Sequence, residues 1–130
     1  RAELVEKASQ GFPIWGTCAG MIVMARELTD HRPEPLNLMN IKVSRNAFGR
    51  QIDSFEEDLT IKGIDGKFPA VFIRAPLVVE NDSNVDILCS IDNPSGPVAV
   101  QQGKLLATSF HPELTNDTRM HEYFLSIVKM

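Results

Sequence analysis

Residues 11–20 constrain the chain more than any other stretch. Phe12 to Gly16 is a short apolar run bounded by Gly11 and Gly16, and a run this short favours a buried strand. From Ala19 to Leu28 the residues are good helix formers, with Ile22, Val23, Met24 and Ala25 on or near an apolar face. Only Gly16, Thr17 and Cys18 separate the two. A strand that becomes a helix within so few residues leaves no room for bulky neighbours. It also lifts the residue at the corner above the sheet, at the N-terminus of the helix. The spacing therefore predicts a strand, a tight turn at Gly16-Thr17-Cys18, and a helix.

The rest of the chain supplies partners for that unit. Ala2 to Gln10 has helical spacing and stops at Gly11. Leu38 to Ser44 alternates Met39, Ile41 and Val43 against Asn40 and Lys42, as a strand does. Gln51 to Ile64 contains extended pieces with acidic breaks. Phe68 to Arg74 reads as a core strand ending at Ala75-Pro76, and Val85 to Ile91 as another strand. Pro97 to Gln101 and Lys104 to Phe110 flank Gln102-Gly103 as a hairpin. Asp117 to Lys129 reads as an amphipathic helix with Met120, Phe124, Ile127 and Val128 on one side and Asp117 as N-cap. Helices around several strands imply an α/β fold with a mixed sheet, in a single domain over residues 1–130. The first helix reads as following a strand that this sequence does not contain.

Composition narrows the function. Of 130 residues, 43% are hydrophobic and 23% charged, a balance that can build a core rather than a disordered chain. The net charge of −4 argues against nucleic acid or an anionic membrane as partner. No apolar run approaches the ~18–20 residues of a bilayer span, and no basic start leads into an apolar segment of the secretory kind. Cys18 and Cys89 lie far apart, neither in a CxxC pair, and no His/Cys cluster has zinc spacing. The expectation is a reduced, cytoplasmic protein without a metal site.

Two segments carry chemistry. In Gly16-Thr17-Cys18-Ala19-Gly20 the corner residue is a nucleophile type. A helix N-terminus favours its thiolate, and the Ala19 N–H points toward an oxyanion forming beside it. In Ser109-Phe110-His111-Pro112-Glu113, His111 follows an apolar strand and Glu113 stands two residues on, placed to orient the imidazole. Alone, each has a plainer interpretation, a buried structural cysteine and a surface histidine beside an acid. Together they compose a Cys18-His111-Glu113 triad of nucleophile, base and orienter. His31, in a Pro-rich loop, reads as exposed, Cys89 as a core residue, Trp15 as sheet packing, and Arg119 and His121 as packing or interface residues.

These residues bring a resemblance with them. Pro13 to Gly20, with Ala107 to Leu114, resembles the class I, triad-type glutamine amidotransferases. Asn46-Ala47-Phe48-Gly49-Arg50-Gln51, Ser54-Phe55-Glu56, Phe72-Ile73-Arg74-Ala75-Pro76 and Asp117 to His121 resemble more narrowly the glutaminase subunits of pyridoxal 5'-phosphate synthase. The resemblance covers essentially the whole chain. It implies a flavodoxin-like mixed sheet flanked by helices. It implies hydrolysis of L-glutamine to L-glutamate and ammonia, with the ammonia channelled to a (β/α)₈-barrel synthase subunit that makes pyridoxal phosphate. It implies Cys18 as nucleophile, His111 as base and Glu113 as its support. It also implies Arg45, Ile73 and Arg74 as L-glutamine contacts, Arg74 through its backbone at least as much as its side chain. No cofactor is implied, since thioester chemistry needs none.

The resemblance further implies a first βα segment and a Gly-Gly loop, which supplies the second oxyanion donor, ahead of the first helix; the sequence has no Gly-Gly pair. The expectation is thus a domain incomplete at its N-terminus. Other possibilities are a non-catalytic or inactive fragment that binds the synthase subunit, an amidotransferase of another pathway, and a γ-glutamyl hydrolase.

Overall fold

A computed structural model describes residues 2–30, 34–45, 54–92 and 94–130. The elements run in the order α1 (Ala2–Ser9), β1 (Ile14–Thr17), α2 (Ala19–Met24), β2 (Ala25–Leu28), β3 (Met39–Ser44), β4 (Ser54–Thr60), β5 (Lys67–Ile73), β6 (Leu77–Asn81), β7 (Asp86–Ile91), β8 (Gly96–Gln102), β9 (Leu105–Thr108), a 3₁₀ turn (Pro112–Leu114) and α3 (Arg119–Val128).

The central sheet has the order β1-β9-β8-β7. β1 runs parallel to β9, from Ile14 opposite Leu105 to Thr17 opposite Thr108. The β9–β8 and β8–β7 pairs are antiparallel. A second mixed sheet, β2-β3-β6, and a β4-β5 hairpin complete the β structure among the described residues.

Alternate residues of the central sheet serve two cores. Val98 and Leu106 pack with Phe68, Phe72, Phe110, Met120 and Ile127, beneath the β4-β5 hairpin and α3. Val100, Leu105 and Ala107 pack with Met21, Met24, Leu28, Met39 and Ile41, beneath α2 and the second sheet. Adjacent residues of a strand point to opposite faces, so the sheet is the middle layer. All four residues of β9 are buried, as in strands covered on both sides.

Two elements depart from the sequence expectation. The helix foreseen to Leu28 ends at Met24, and Ala25 to Leu28 form β2, paired in parallel with β3. Helix propensity is a weak prior. Here it yields to a strand that buries Ala25 and Leu28 against Met39, Ile41 and Val43. Met21 and Met24 are the buried face of α2, while Val23 is exposed. The strand β6, hidden behind Ala75-Pro76, was not foreseen. In α3, Met120 and Ile127 are buried but Val128 is exposed. Thr118 holds the N-cap position without a side-chain bond, while the Asp117 carboxylate accepts the Arg119 N–H at 3.1 Å. His31 and the Asn46–Gln51 segment lie outside the described residues.

Candidate active site

The Cys18 corner is built by sterics. A Cβ on Gly16 would stand 2.7 Å from the carbonyl of Gly20 and 2.6 Å from Met24 Sδ, distances that real side chains do not adopt. Only glycine lets the strand pass so close to the helix it feeds. Cys18 itself sits at φ 52° and ψ −105°, a backbone conformation that costs on the order of 1–3 kcal/mol and concentrates at functional sites. Its N–H donates to the Thr108 carbonyl at 2.8 Å, and its carbonyl accepts the Met21 N–H at 3.0 Å.

His111 arrives from the neighbouring strand. β9 ends at Thr108 beside the end of β1, and the His111 N–H donates to the Val71 carbonyl of β5 at 2.8 Å. Before it, Phe110 is fully buried against Phe68 and Phe72, with ring centroids 5.8 and 5.7 Å away. The Thr108 hydroxyl accepts the Trp15 indole N–H at 3.2 Å and donates to the Phe110 carbonyl at 3.3 Å. The turn that presents His111 is thereby tied to β1.

His111 Nδ1 stands 2.7 Å from Glu113 Oε2. A carboxylate only accepts, so this contact puts a proton on Nδ1 and leaves Nε2 as the basic nitrogen. Burial alone would raise the Glu113 carboxyl. Its own backbone N–H, the hydrogen bond from His111 and the charges of His111 and His121 outweigh burial and hold it below the usual range. Burial pushes the Cys18 thiol up; the Ala19 N–H pulls the other way, and the Glu113 charge adds to the rise. The resting thiol is therefore neutral near pH 7 and needs a base to become a nucleophile.

A third strand end closes the site. The Cys18 thiol donates to the carbonyl of Ile73, the last residue of β5, at 3.5 Å, and Arg74 follows at φ 46°. Cys18, Ala19 and Ile73 thus meet, His111 and Glu113 meet each other, and the Glu113 charge reaches the Cys18 thiol. Arg45, one residue past β3, does not touch them. It lies against Asp30, a residue that sequence reasoning passed over, with Arg45 Nε and Nη2 each 2.9 Å from Asp30 Oδ2. Trp15 packs edge-on against His121 and beside Phe124, at 5.2 and 5.5 Å between centroids. Cys89 is buried and, like Cys18, carries a free thiol. Among the described residues no group of three His, Cys, Asp or Glu could hold a metal ion, and no helix is long and apolar enough to cross a membrane.

A thiol on a strand-to-helix corner, beside a histidine–carboxylate pair at the ends of parallel strands in a mixed α/β layer, is the architecture of the class I glutamine amidotransferases. The chain belongs to the SNO glutamine amidotransferase family, whose family model matches residues 1–130. It is 50% identical over 127 residues to a protein of Thermosipho africanus named "Pyridoxal 5'-phosphate synthase subunit PdxT", across 98% of this chain and 66% of the relative. A protein of the same name from Methanocella arvoryzae is 53% identical over 130 residues, covering 97% of this chain and 65% of the relative. A solved structure titled "Crystal structure of glutamine amidotransferase" superposes with a TM-score of 0.90 at 44% identity, over 99% of this chain and 68% of that one. The chain thus spans about two thirds of the length of these curated relatives.

Proposed function

We propose that the chain is the catalytic part of a glutaminase that hydrolyses L-glutamine to L-glutamate and ammonia. His111 Nε2 takes the Cys18 proton as the sulfur attacks the side-chain carboxamide carbon. The oxyanion that forms is met by the Ala19 N–H. Collapse expels ammonia with the proton from His111 and leaves a γ-glutamyl thioester on Cys18. His111 then takes a proton from water, whose oxygen attacks the thioester, and returns it to the sulfur as L-glutamate leaves. Glu113 holds the imidazole and stabilises its charged form. Arg45, Ile73 and Arg74 hold the glutamine, Arg74 through its backbone at least as much as its side chain. No cofactor enters these steps.

The observation that carries this reading is the 2.7 Å His111–Glu113 contact beside a left-handed Cys18. A structural cysteine needs neither the backbone conformation nor the pair. We further propose that the ammonia passes to a barrel-shaped synthase subunit making pyridoxal 5'-phosphate. Support comes from the names of the relatives, which are called subunits of that synthase.

The test is ammonia release from L-glutamine with and without the synthase subunit, comparing this chain, its Cys18→Ala variant and a version extended at the N-terminus to the relatives' length. Release that needs Cys18 and rises with the partner is the expected result. An extended chain inert on glutamine in the partner's presence sinks the substrate assignment.

A further inference from the structure

Among the described residues, Asp30 is the acid that Arg45 meets, and the fold brings the two together from separate strands. β2 and β3 are parallel, with Leu28 opposite Val43. Asp30 and Arg45 each lie two residues past that pair, and the Thr29 N–H donates to the Val43 carbonyl at 3.0 Å, fastening the turn that carries Asp30. A short stretch of chain links this end of the second sheet to the thiol. Leu77 of β6 pairs with Ser44, next to Arg45, while four residues earlier the Ile73 carbonyl meets the Cys18 thiol. A stretch of that length spans at most about 14 Å.

The contact uses one edge of the guanidinium, Nε and Nη2, both 2.9 Å from Asp30 Oδ2. The planar fork fixes the rest, because its Nη1/Nη2 edge must then turn away from Asp30. That edge matches a carboxylate bidentately. A long, partly exposed arginine otherwise samples many rotamers, and ordering it on binding weakens the complex.

We infer that Asp30 is a positioning residue, holding Arg45 so that its outer edge receives the α-carboxylate of glutamine. The inference rests on the proposed role of Arg45. Asp30 touches neither the reacting amide nor the thiol, so it acts on binding and not on bond breaking.

The test uses the extended chain assembled with its synthase subunit. Glutamine affinity is measured by calorimetry on a Cys18→Ala background, and kcat and KM with Cys18 present. The variants are Asp30→Asn, Asp30→Glu, Arg45→Lys and the double Asp30→Asn/Arg45→Lys. The second substrate is 4-aminobutanamide, which has the amide but no α-carboxylate. Asp30→Asn is expected to weaken glutamine binding and raise KM on the order of tenfold, the scale of one charge-assisted hydrogen bond, with kcat within about twofold of the parent. The effect should be absent on the Arg45→Lys background and absent for 4-aminobutanamide, with partial recovery in Asp30→Glu. If Arg45→Lys weakens glutamine and Asp30→Asn does not, the positioning role is overturned and the Arg45 assignment survives. Equal losses on both substrates, or a lowered kcat, also overturn it by making Asp30 structural. If Arg45→Lys leaves glutamine affinity untouched, the assignment of Arg45 itself fails.

Discussion

The Cys18 N–H, one residue past the last paired residue of β1, donates at 2.8 Å to the carbonyl of Thr108, the last paired residue of β9. Cys18 and the strand that leads to His111 are thus parts of one ladder. A disturbance of either strand end moves the other, because the hydrogen bond continues the register from Thr17 and Thr108.

The two thiols should separate by reactivity. Burial pushes Cys18 above its ordinary value of 9.0, and Cys89 is pushed up to about 11. The reactive species is the thiolate. Alkylation by iodoacetamide, followed by mass spectrometry across pH, should therefore rise at Cys18 with a midpoint above 9.0, while Cys89 stays unlabelled until the protein unfolds. Glu113→Gln removes one of the influences that raise Cys18 and should move its midpoint down. A Cys18 midpoint below 8 in the parent would mean a standing thiolate–imidazolium pair and would contradict the neutral resting thiol.

Glu113→Gln should also separate catalysis from folding. The carboxylate is about half exposed, so at neutral pH the melting temperature should fall only slightly below that of the parent. On the proposed mechanism, glutaminase turnover of the extended chain with its synthase subunit should fall on the order of 10²–10⁴, the range of general acid–base contributions, because the amide supports the imidazolium poorly. The pH dependence has a definite sign. The Glu113 carboxyl lies below its ordinary value of 4.5 when folded, so its stabilising contribution is complete above 4.5 and is lost as pH falls through the lower folded value. Melting curves followed by circular dichroism across pH should therefore show this small parent–variant difference close only below pH 4.5. A difference that vanished at higher pH would place the carboxyl above its ordinary value.

The corner was legible because its determinants are local. Gly16, Cys18 and the adjoining helix formers sit within a few residues, and sterics alone dictate their order. The Cys18–His111–Glu113 grouping was legible because both segments carry their own chemistry. What stayed hidden depends on partners distant in sequence. Ala25 to Leu28 are good helix formers, and only pairing with β3 makes them a strand. Leu77 to Asn81 follow a proline and make their strand against Ile41 to Ser44. Asp30 looks like an ordinary loop acid until the parallel ends of β2 and β3 bring Arg45 to it. The hydroxyl of Thr108, bridging Trp15 and Phe110, gives no signal in sequence at all.

Two glycines in the same motif should respond oppositely to alanine. At Gly16 the new methyl meets the Gly20 carbonyl at 2.7 Å and Met24 Sδ at 2.6 Å. The sulfur can swing away, but the carbonyl is helix backbone. Gly16→Ala must therefore part β1 from α2, an overpacking of about 1–3 kcal/mol or more, and it also displaces Cys18. At Gly20 nothing lies within 4 Å of the added methyl. There alanine removes the conformational freedom of glycine inside a helix, a gain of up to about 1 kcal/mol. Urea denaturation should place Gly16→Ala well below the parent midpoint and Gly20→Ala at or above it. Equal losses at both positions would mean that the motif tolerates small residues for a reason other than the contact between β1 and α2.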